Sequence, residues 1–299
     1  MSRCKRVIAF PTRFYGRPER VPEALRRVSH TTPWCTVDGL TNHGGTHSKY
    51  RTENQDCLFL GMDDTRSVLC AGVVDGAGGT AGARLTSRMA SGMLLDRLTG
   101  GMQMVNAFAH ANGLVTWRNT QLRQDGAATA AVIRVSRDGA LEIGAIGDAK
   151  VMTFRRRRIL RPLCTREQNF ARRVYDQTDF PWMYFNHPLL SSITAYLGGS
   201  ARNEQSESGV FLNGIACRRD LLVLGSDGLW DNVTEYEAWQ IVRQHGRDSR
   251  ALCDALFTLA MSRNNSGCKL VTAHWDQHRE INLRPARDNL TIVVVLLTA

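Results

Sequence analysis

The sequence predicts an α+β fold in which two mainly antiparallel sheets pack as a sandwich, with helices on the outer faces. Three observations predict it. Short apolar runs typical of buried strands recur along the chain, the last at residues 290–297. Asp138-Gly139 between two such runs favours a hairpin, so neighbouring strands should pair antiparallel. The runs come in blocks separated by helical patterns, which is not the strict alternation of a doubly wound parallel sheet.

Each element has its own local signal. Apolar side chains recur at helical spacing before Gly100-Gly101, which ends the first helix. Thr234 and Glu237 form a capping box that begins a later helix. We predict strands at 129–135, 140–146, 151–154, 159–160, 210–212, 221–224 and 290–297, helices at 79–98, 102–122, 234–244 and 250–261, and a long irregular functional loop at 163–206.

The chain divides into a basic N-terminal arm, residues 1–35, and one domain, residues 36–299. The arm contains several basic residues before its first acid, Glu19, and Pro11 limits any helix in it to a short first segment. This pattern is typical of a mitochondrial presequence, but a disordered basic tail would have the same composition. We expect a mitochondrial location, or otherwise a cytoplasmic one, and no secretion.

Composition narrows the possible classes of protein. The eight cysteines are scattered without a Cys-x-x-Cys pair, so zinc knuckles and thioredoxin-type motifs are not expected, and a reducing compartment is. No apolar stretch approaches the roughly 20 residues needed to span a bilayer. The net charge of +10 either solubilises the surface or attracts an acidic partner. Aromatic residues do not interleave with the basic cluster at 155–158, which argues against a nucleic-acid partner.

Four aspartates lie at the edges of apolar runs: Asp75, Asp148, Asp227 and Asp288. Any one of them could simply begin a turn, because Asp-Gly and Asp-Asn favour turns. Several strand ends that meet would instead make a site for hard cations, because carboxylate oxygens suit magnesium and manganese. Two such ions side by side can activate water against phosphorus.

Two other motifs resemble known binding sites only in part. The segment 76–81 fits the glycine pattern of a dinucleotide-binding turn, but Asp96 lies within a helical pattern instead of ending a second strand. His43 and His47 have the spacing of a zinc site, but no glutamate follows His43 and Gly44-Gly45 disfavours a helix. We therefore interpret both histidines as loop residues.

Five segments together resemble the metal-dependent protein phosphatases of the PPM (type 2C) family, and they occur in that family's order. They are Arg51 to Asp56 (R-x-x-N-Q-D), Val74 to Gly79 (V-D-G-A-G-G), Gly147 to Ala149 (G-D-A), Gly225 to Asp231 (G-S-D-G-L-W-D) and Asp288 to Thr291 (D-N-L-T). The resemblance implies the α-β-β-α sandwich of that family. The segments 165–168 and 185–188 are also similar to the branch that contains mitochondrial-matrix phosphatases.

The resemblance implies a two-metal site for Mn²⁺ or Mg²⁺ that hydrolyses phosphoserine and phosphothreonine with a water shared by both ions. The Asp75 carboxylate would bridge the ions and the Gly76 carbonyl would bind one of them. Asp227 and Asp288 would hold the second ion, and Asp148 with Asp227 would form a weaker third position.

The first motif would supply two more site residues. Arg51 would bind the substrate phosphate through two parallel hydrogen bonds from its guanidinium. Asp56 would be the carboxylate of this motif that lies nearest the metals, because Gln55 stands where some members have glutamate. Ala77 replaces a histidine that many eukaryotic members carry as a proposed general acid, so we expect slower turnover or another proton donor.

The expected partners are phosphoprotein substrates. The alternative function is a catalytically impaired pseudophosphatase of the same fold that acts as a phosphoprotein-binding or regulatory module. Such proteins usually lose metal aspartates, whereas this chain keeps all four.

Overall fold

The computed structural model describes residues 5–9, 25–43, 54–63, 67–78, 81–155, 163–178, 184–185, 187–198, 209–264, 266–274, 277–283 and 288–298. Within these residues the strands form two large sheets and one separate hairpin, and every strand pairing is antiparallel. The hairpin consists of β13 (Cys268–His274) and β14 (Gln277–Leu283).

In the described part of the chain the first sheet has seven strands and the second has six. In spatial order the first sheet contains β1 (Lys5–Ala9), β4 (Cys57–Asp63), β5 (Val68–Ala77), β6 (Ala127–Ser136), β7 (Ala140–Ile146) and β11 (Val210–Ile215). Its seventh strand, β10 (Leu197–Gly198), also pairs with β6. The second contains β2 (Arg26–Thr31), β3 (Cys35–Asn42), β15 (Leu290–Leu297), β12 (Leu221–Gly225), β8 (Lys150–Phe154) and β9 (Leu163–Cys164).

Helices cover the outer face of each sheet. The helices with limits inside the described residues are α1 (Ala81–Thr99), α2 (Met104–Leu122), α3 (Phe170–Thr178), α4 (Asp227–Trp230), α5 (Glu235–His245) and α6 (Ser249–Asn264). Helices α1 and α2 pack on the first sheet, and α4, α5 and α6 on the second. The order of layers is therefore helix, sheet, sheet, helix, which confirms the predicted sandwich.

Three apolar cores hold these layers together, because each strand sends alternate side chains to opposite faces. Leu222 and Leu224 of β12 join Leu58 of β4 in the core between the sheets. Val223 faces the opposite way and packs under α4 to α6, and Phe59 packs under α1 and α2. Strands such as β4 and β12 are thus buried on both faces, which explains why they appear in the sequence as continuous apolar runs.

The elements with strong local signals were predicted correctly. The strands at 140–146 and 290–297 have the predicted limits, and the helices at 79–98 and 102–122 correspond to α1 and α2. The capping box at Thr234 is present: its hydroxyl accepts a hydrogen bond from the Glu237 amide, and the Glu237 side chain accepts one from the Thr234 amide. The predicted strand at 159–160 lies outside the described residues.

The prediction of an irregular loop at 163–206 was wrong in part. The segment contains β9, helix α3 and β10, and a bridge joins Asn169 to Ile193. The hairpin of β13 and β14 was not predicted either. Both regions mix charged and apolar residues, so neither shows a continuous apolar run.

Two stretches of the predicted N-terminal arm take part in the sheets. Strand β1 pairs along β4 at one edge of the first sheet, and β2 pairs along β3 at one edge of the second. The division at residue 35 stays a prediction. Within the described residues, no helix is long and apolar enough to cross a membrane.

Candidate metal centre

The strand registers bring the predicted aspartates to one end of the sandwich. Cys57 pairs with Val74, so Asp56 at the start of β4 lies beside Asp75 near the end of β5. Gly225 pairs with both Lys150 and Ile292. The turn before β8, the two residues after β12 and the residues before β15 therefore meet, and these positions carry Asp148, Asp227 and Asp288.

The carboxyl groups at this end are buried close to one another. The side chains of Asp56, Asp75, Asp148 and Asp288 are all less than a tenth exposed. Burial raises the pKa of Asp148 well above its usual range, and the charges of Asp227, Asp75 and Asp231 add to this effect. Such mutual repulsion in a poorly solvated space is what a charge-dense cation would relieve.

Asp56 shows the same effect. Burial raises the pKa of Asp56 to about 6, and the charge of Asp227 contributes, although the side chains of Asp75, Thr291 and Ser226 lie close enough to lower it. Neither carboxylate oxygen of Asp56 makes a hydrogen bond of ordinary geometry. The oxygen lone pairs of a buried carboxylate in this state are available to coordinate a cation.

Asp231 belongs to the same acidic cluster and was not predicted as a site residue. Its pKa is raised well above the usual range by burial and by the charges of Asp227 and Glu167, while Lys150 acts in the opposite direction. Asp231 follows Asp227 by one turn, and its amide donates to the Asp227 carbonyl at 2.8 Å. The four-residue spacing between Asp227 and Asp231 is the sequence signal that could have identified Asp231 as a site residue.

Two glycines allow the backbone segments to approach closely. A Cβ on Gly228 would lie 1.9 Å from the carbonyl oxygen of Asn289, so α4 rests directly on the backbone that follows Asp288. A Cβ on Gly76 would lie 2.5 Å from the carbonyl oxygen of Ala83 in α1. A side chain at either position would displace the backbone that carries an aspartate.

Asparagine side chains fix the loop that carries Asp288. Asn264, at the end of α6, donates from Nδ2 to the Asp288 carbonyl at 3.0 Å and accepts from the Asp288 amide at 3.2 Å. Asn289 accepts from the Gln55 amide at 2.8 Å and donates to the His43 carbonyl at 2.8 Å. These bonds hold the two loops that carry Asp56 and Asp288 together.

The donor set suits Mn²⁺ or Mg²⁺ by its chemistry. The predicted ligands are carboxylate oxygens and the Gly76 carbonyl oxygen, which such ions prefer. In the described part of the chain, no group of three or more His, Cys, Asp or Glu side chains is arranged to hold a metal ion. Because magnesium usually keeps several waters and binds through one or two carboxylates, the acidic cluster still fits such ions.

Two further residues were discussed for this site from the sequence. Arg51 is outside the described residues. Ala77, which ends β5, has no titratable group. A cavity of about 440 Å³ lies at the opposite end of the first sheet, beside Arg134 and Glu142, and so is not part of the acidic cluster.

The raised pKa of Asp56 predicts how stability depends on pH in the presence of a chelator. Between its usual value of 3.8 and about 6, the folded protein binds more protons at this group than the unfolded chain does. The free energy of unfolding should therefore fall as pH rises through this range, by on the order of 3 kcal/mol for this group. Asp56→Asn should remove this group's share of the fall and leave the shares of Asp148 and Asp231, and thermal unfolding from pH 4 to pH 8 measures the difference. Parallel curves for the two proteins would contradict the assignment.

The comparisons with known proteins agree with this geometry. The family described as Protein phosphatase 2C matches residues 43–251, which is more than half of the chain. The chain therefore belongs to the protein phosphatase 2C family, and its class is that of the protein phosphatases.

Solved structures show the same fold. The serine/threonine phosphatase Stp1 from Staphylococcus aureus is 16% identical, with a TM-score of 0.67 over 88% of this chain and 95% of that one. The serine/threonine phosphatase PstP/Ppp from Mycobacterium tuberculosis is 18% identical, with a TM-score of 0.66 over 89% and 100%. The catalytic domain of PstP in complex with two manganese ions is 16% identical, with a TM-score of 0.66 over 89% and 99%. No match was found among curated proteins.

Proposed function

We propose that this protein is a metal-dependent phosphatase that removes phosphate from phosphoserine and phosphothreonine in proteins, with two divalent ions at the acidic end of the sandwich. The observation that carries the proposal is the set of aspartates from both sheets buried together at that end. When bound, such ions neutralise phosphate charge and lower the pKa of water toward neutrality.

The predicted ligands would have different roles in binding the ions. Asp75 is held within the first sheet, where its strand pairs on both sides, so it suits the shared ligand between two ions. The carbonyl of the adjacent Gly76 would bind one ion, and Asp227 and Asp288, from the second sheet, would hold the other. Asp148 would contribute with Asp227 to a weaker third position.

The substrate phosphate needs a donor as well as a cation. Arg51 is proposed for this role because its guanidinium can donate two parallel hydrogen bonds to phosphate oxygens. Asp56 lies beside Asp75 and would orient water at the ions through its free acceptor oxygens. Ala77 offers no acid for the leaving group, so turnover should be slow.

The test is hydrolysis of p-nitrophenyl phosphate and of a phosphothreonine peptide by purified protein. We expect activity with Mn²⁺, less or equal activity with Mg²⁺, and loss of at least about 10³-fold when a chelator removes the ions, because each ion supplies several kcal/mol of charge stabilisation. Restoring Mn²⁺ should restore the rate.

Calorimetric titration with Mn²⁺ provides a second measurement. Ion binding without hydrolysis of either substrate would favour the pseudophosphatase. Absence of both binding and hydrolysis would reject the two-metal proposal, and hydrolysis that is unchanged by the chelator would also reject it.

A mitochondrial location is a separate proposal that rests on the charge pattern before Glu19 and on the branch resemblance. Imaging of a fusion with a free N-terminus tests it, and a diffuse cytoplasmic signal would reject it.

A further inference from the structure

A buried network of hydroxyl groups lies beside Asp56. Thr41 of β3 faces Thr291 of β15 in the strand register, and their Oγ1 atoms are 2.7 Å apart. The Thr291 amide donates to Ser226 Oγ at 3.1 Å, and the Ser226 amide donates to the Thr291 carbonyl at 3.1 Å. Thr41, Thr291 and Ser226 are all fully buried, so their hydroxyl hydrogens need acceptors within the protein.

Asn54 sets the direction of the hydrogen bonds in this network. Its Oδ1 accepts from the Asp56 amide at 3.0 Å, which identifies the other end of its side chain as Nδ2. That nitrogen donates to Thr41 Oγ1 at 2.8 Å. Because an amide nitrogen can only donate, Thr41 is left to direct its own hydrogen toward Thr291 Oγ1, its other hydrogen-bond partner among the described residues.

The hydroxyl hydrogens of Thr291 and Ser226 then remain for the Asp56 carboxylate. Thr291 Oγ1 receives the hydrogen of Thr41, and Ser226 Oγ receives that of the Thr291 amide. Burial raises the pKa of Asp56, whereas these two hydroxyls, which lie close to its carboxylate, lower it. Since neither oxygen of that carboxylate makes a hydrogen bond of ordinary geometry, both can accept these hydrogens.

From this arrangement we propose that Thr41 and Thr291 are positioning residues for the reaction, which direct a hydrogen to the Asp56 carboxylate and hold it in one orientation at the acidic end. The inference rests on the proposed phosphatase function, in which Asp56 orients water at the ions. Thr41 acts only through Thr291. Ser226 would supply a second hydrogen, but it directly precedes the predicted ligand Asp227, so the two threonines are the better test.

A purely structural role for the two threonines makes a different prediction. Threonine pairs on neighbouring antiparallel strands stabilise sheets by themselves. If Thr41 and Thr291 did only this, loss of a hydroxyl would lower the melting temperature and leave kcat per folded molecule unchanged. A positioning role lowers kcat of the folded enzyme and is rescued by any side chain that restores the hydroxyl.

The experiment measures hydrolysis of p-nitrophenyl phosphate with saturating Mn²⁺. Thr291→Val keeps the shape of the side chain and removes the hydroxyl beside Asp56, so kcat should fall at least about tenfold while KM changes less than about twofold. Thr41→Val leaves that hydroxyl in place but removes what directs it, so kcat should fall about threefold. Thr291→Ser should recover most of the wild-type kcat.

A double-mutant cycle tests whether Thr291 acts through Asp56. In the Asp56→Ala background, Thr291→Val should lower kcat by less than about twofold more, because the carboxylate that it orients is already absent. Calorimetric titration with Mn²⁺ gives a second cycle that does not depend on turnover. Thr291→Val should weaken Mn²⁺ binding about threefold in the wild type and leave it unchanged in Asp56→Ala. Equal losses in both backgrounds would overturn the inference.

Thr36→Val is the matched control. Thr36 lies at the other end of β3 from Thr41, and its Oγ1 is 3.0 Å from the Ser249 hydroxyl, so the same substitution removes a similar hydroxyl pair far from Asp56. This variant should keep the wild-type kcat.

Thr41→Ser and Thr41→Ala cover the case in which the valine variants do not fold. Both lack the methyl group and they differ only in the hydroxyl, so the serine variant should have a kcat at least about threefold higher. Equal kcat values in the wild type and in every folded variant that lacks a hydroxyl at these positions would overturn the inference. A wild type without metal-dependent hydrolysis would overturn the proposed function instead.

Discussion

Asp75→Asn is expected to lower kcat/KM for p-nitrophenyl phosphate by at least about 10³-fold in the presence of Mn²⁺. The physical reason is that an amide keeps the shape of the side chain but removes the negative charge that would hold both ions. Calorimetric titration should show weaker Mn²⁺ binding as well.

Loss of folding can be separated from loss of catalysis for this variant. Asp75 lies among like charges and raises the pKa of Asp148. Without ions, the neutral amide should therefore leave the melting temperature unchanged or raise it. Asp138→Asn is the matched control: it makes the same change in the exposed turn between β6 and β7, at the opposite end of the sandwich, and should keep full activity. An active Asp75→Asn protein would show that the assigned centre is wrong.

Gly228→Ala is expected to lower the free energy of unfolding by about 3 kcal/mol or more. The new Cβ would lie 1.9 Å from the Asn289 carbonyl oxygen, and neither backbone can yield without moving α4 away from the start of β15. Because Asp227 and Asp288 lie on these two segments, the activity that remains per folded molecule should fall too. Chemical denaturation measures the first effect and metal-dependent hydrolysis the second.

Gly92→Ala provides the control for Gly228→Ala. Gly92 lies within α1, and a Cβ there would meet nothing within 4 Å. Alanine should therefore raise the free energy of unfolding by about 0.5–1 kcal/mol, because it is the better helix former. If Gly228→Ala instead unfolds like the wild type, the close contact between α4 and Asn289 does not exist in solution.

Features encoded by neighbouring residues could be predicted from the sequence. The helix at Thr234 begins with a capping box whose two partners are three residues apart, and β15 is an unbroken apolar run. The positions of the aspartates at one end also followed from the sequence, because an antiparallel strand begins where its neighbour ends.

Features that depend on distant residues could not be predicted in this way. Helix α3 is held by Arg172 and Glu167. Their partner Lys150 lies in strand β8, 17 residues before Glu167, and Glu235 lies 85 residues beyond that lysine. Asp231 has a local signal in its spacing from Asp227, but the charge of Glu167, 64 residues before it, reaches it only in the folded chain. In each case the decisive interaction is between charges that the chain brings together by folding.

The two sheets contribute to the acidic end separately: Asp56 and Asp75 belong to the first, and Asp227 and Asp288 to the second. Ions held between them would fasten one sheet to the other across the apolar core. The spacing of the sheets and the affinity for the ions would then be linked. A change of side-chain volume at Leu58 or Leu224 would alter the affinity for the ions, although neither residue contacts them. Packing in the interior of the sandwich would then set the distance between the metal ligands of the two sheets.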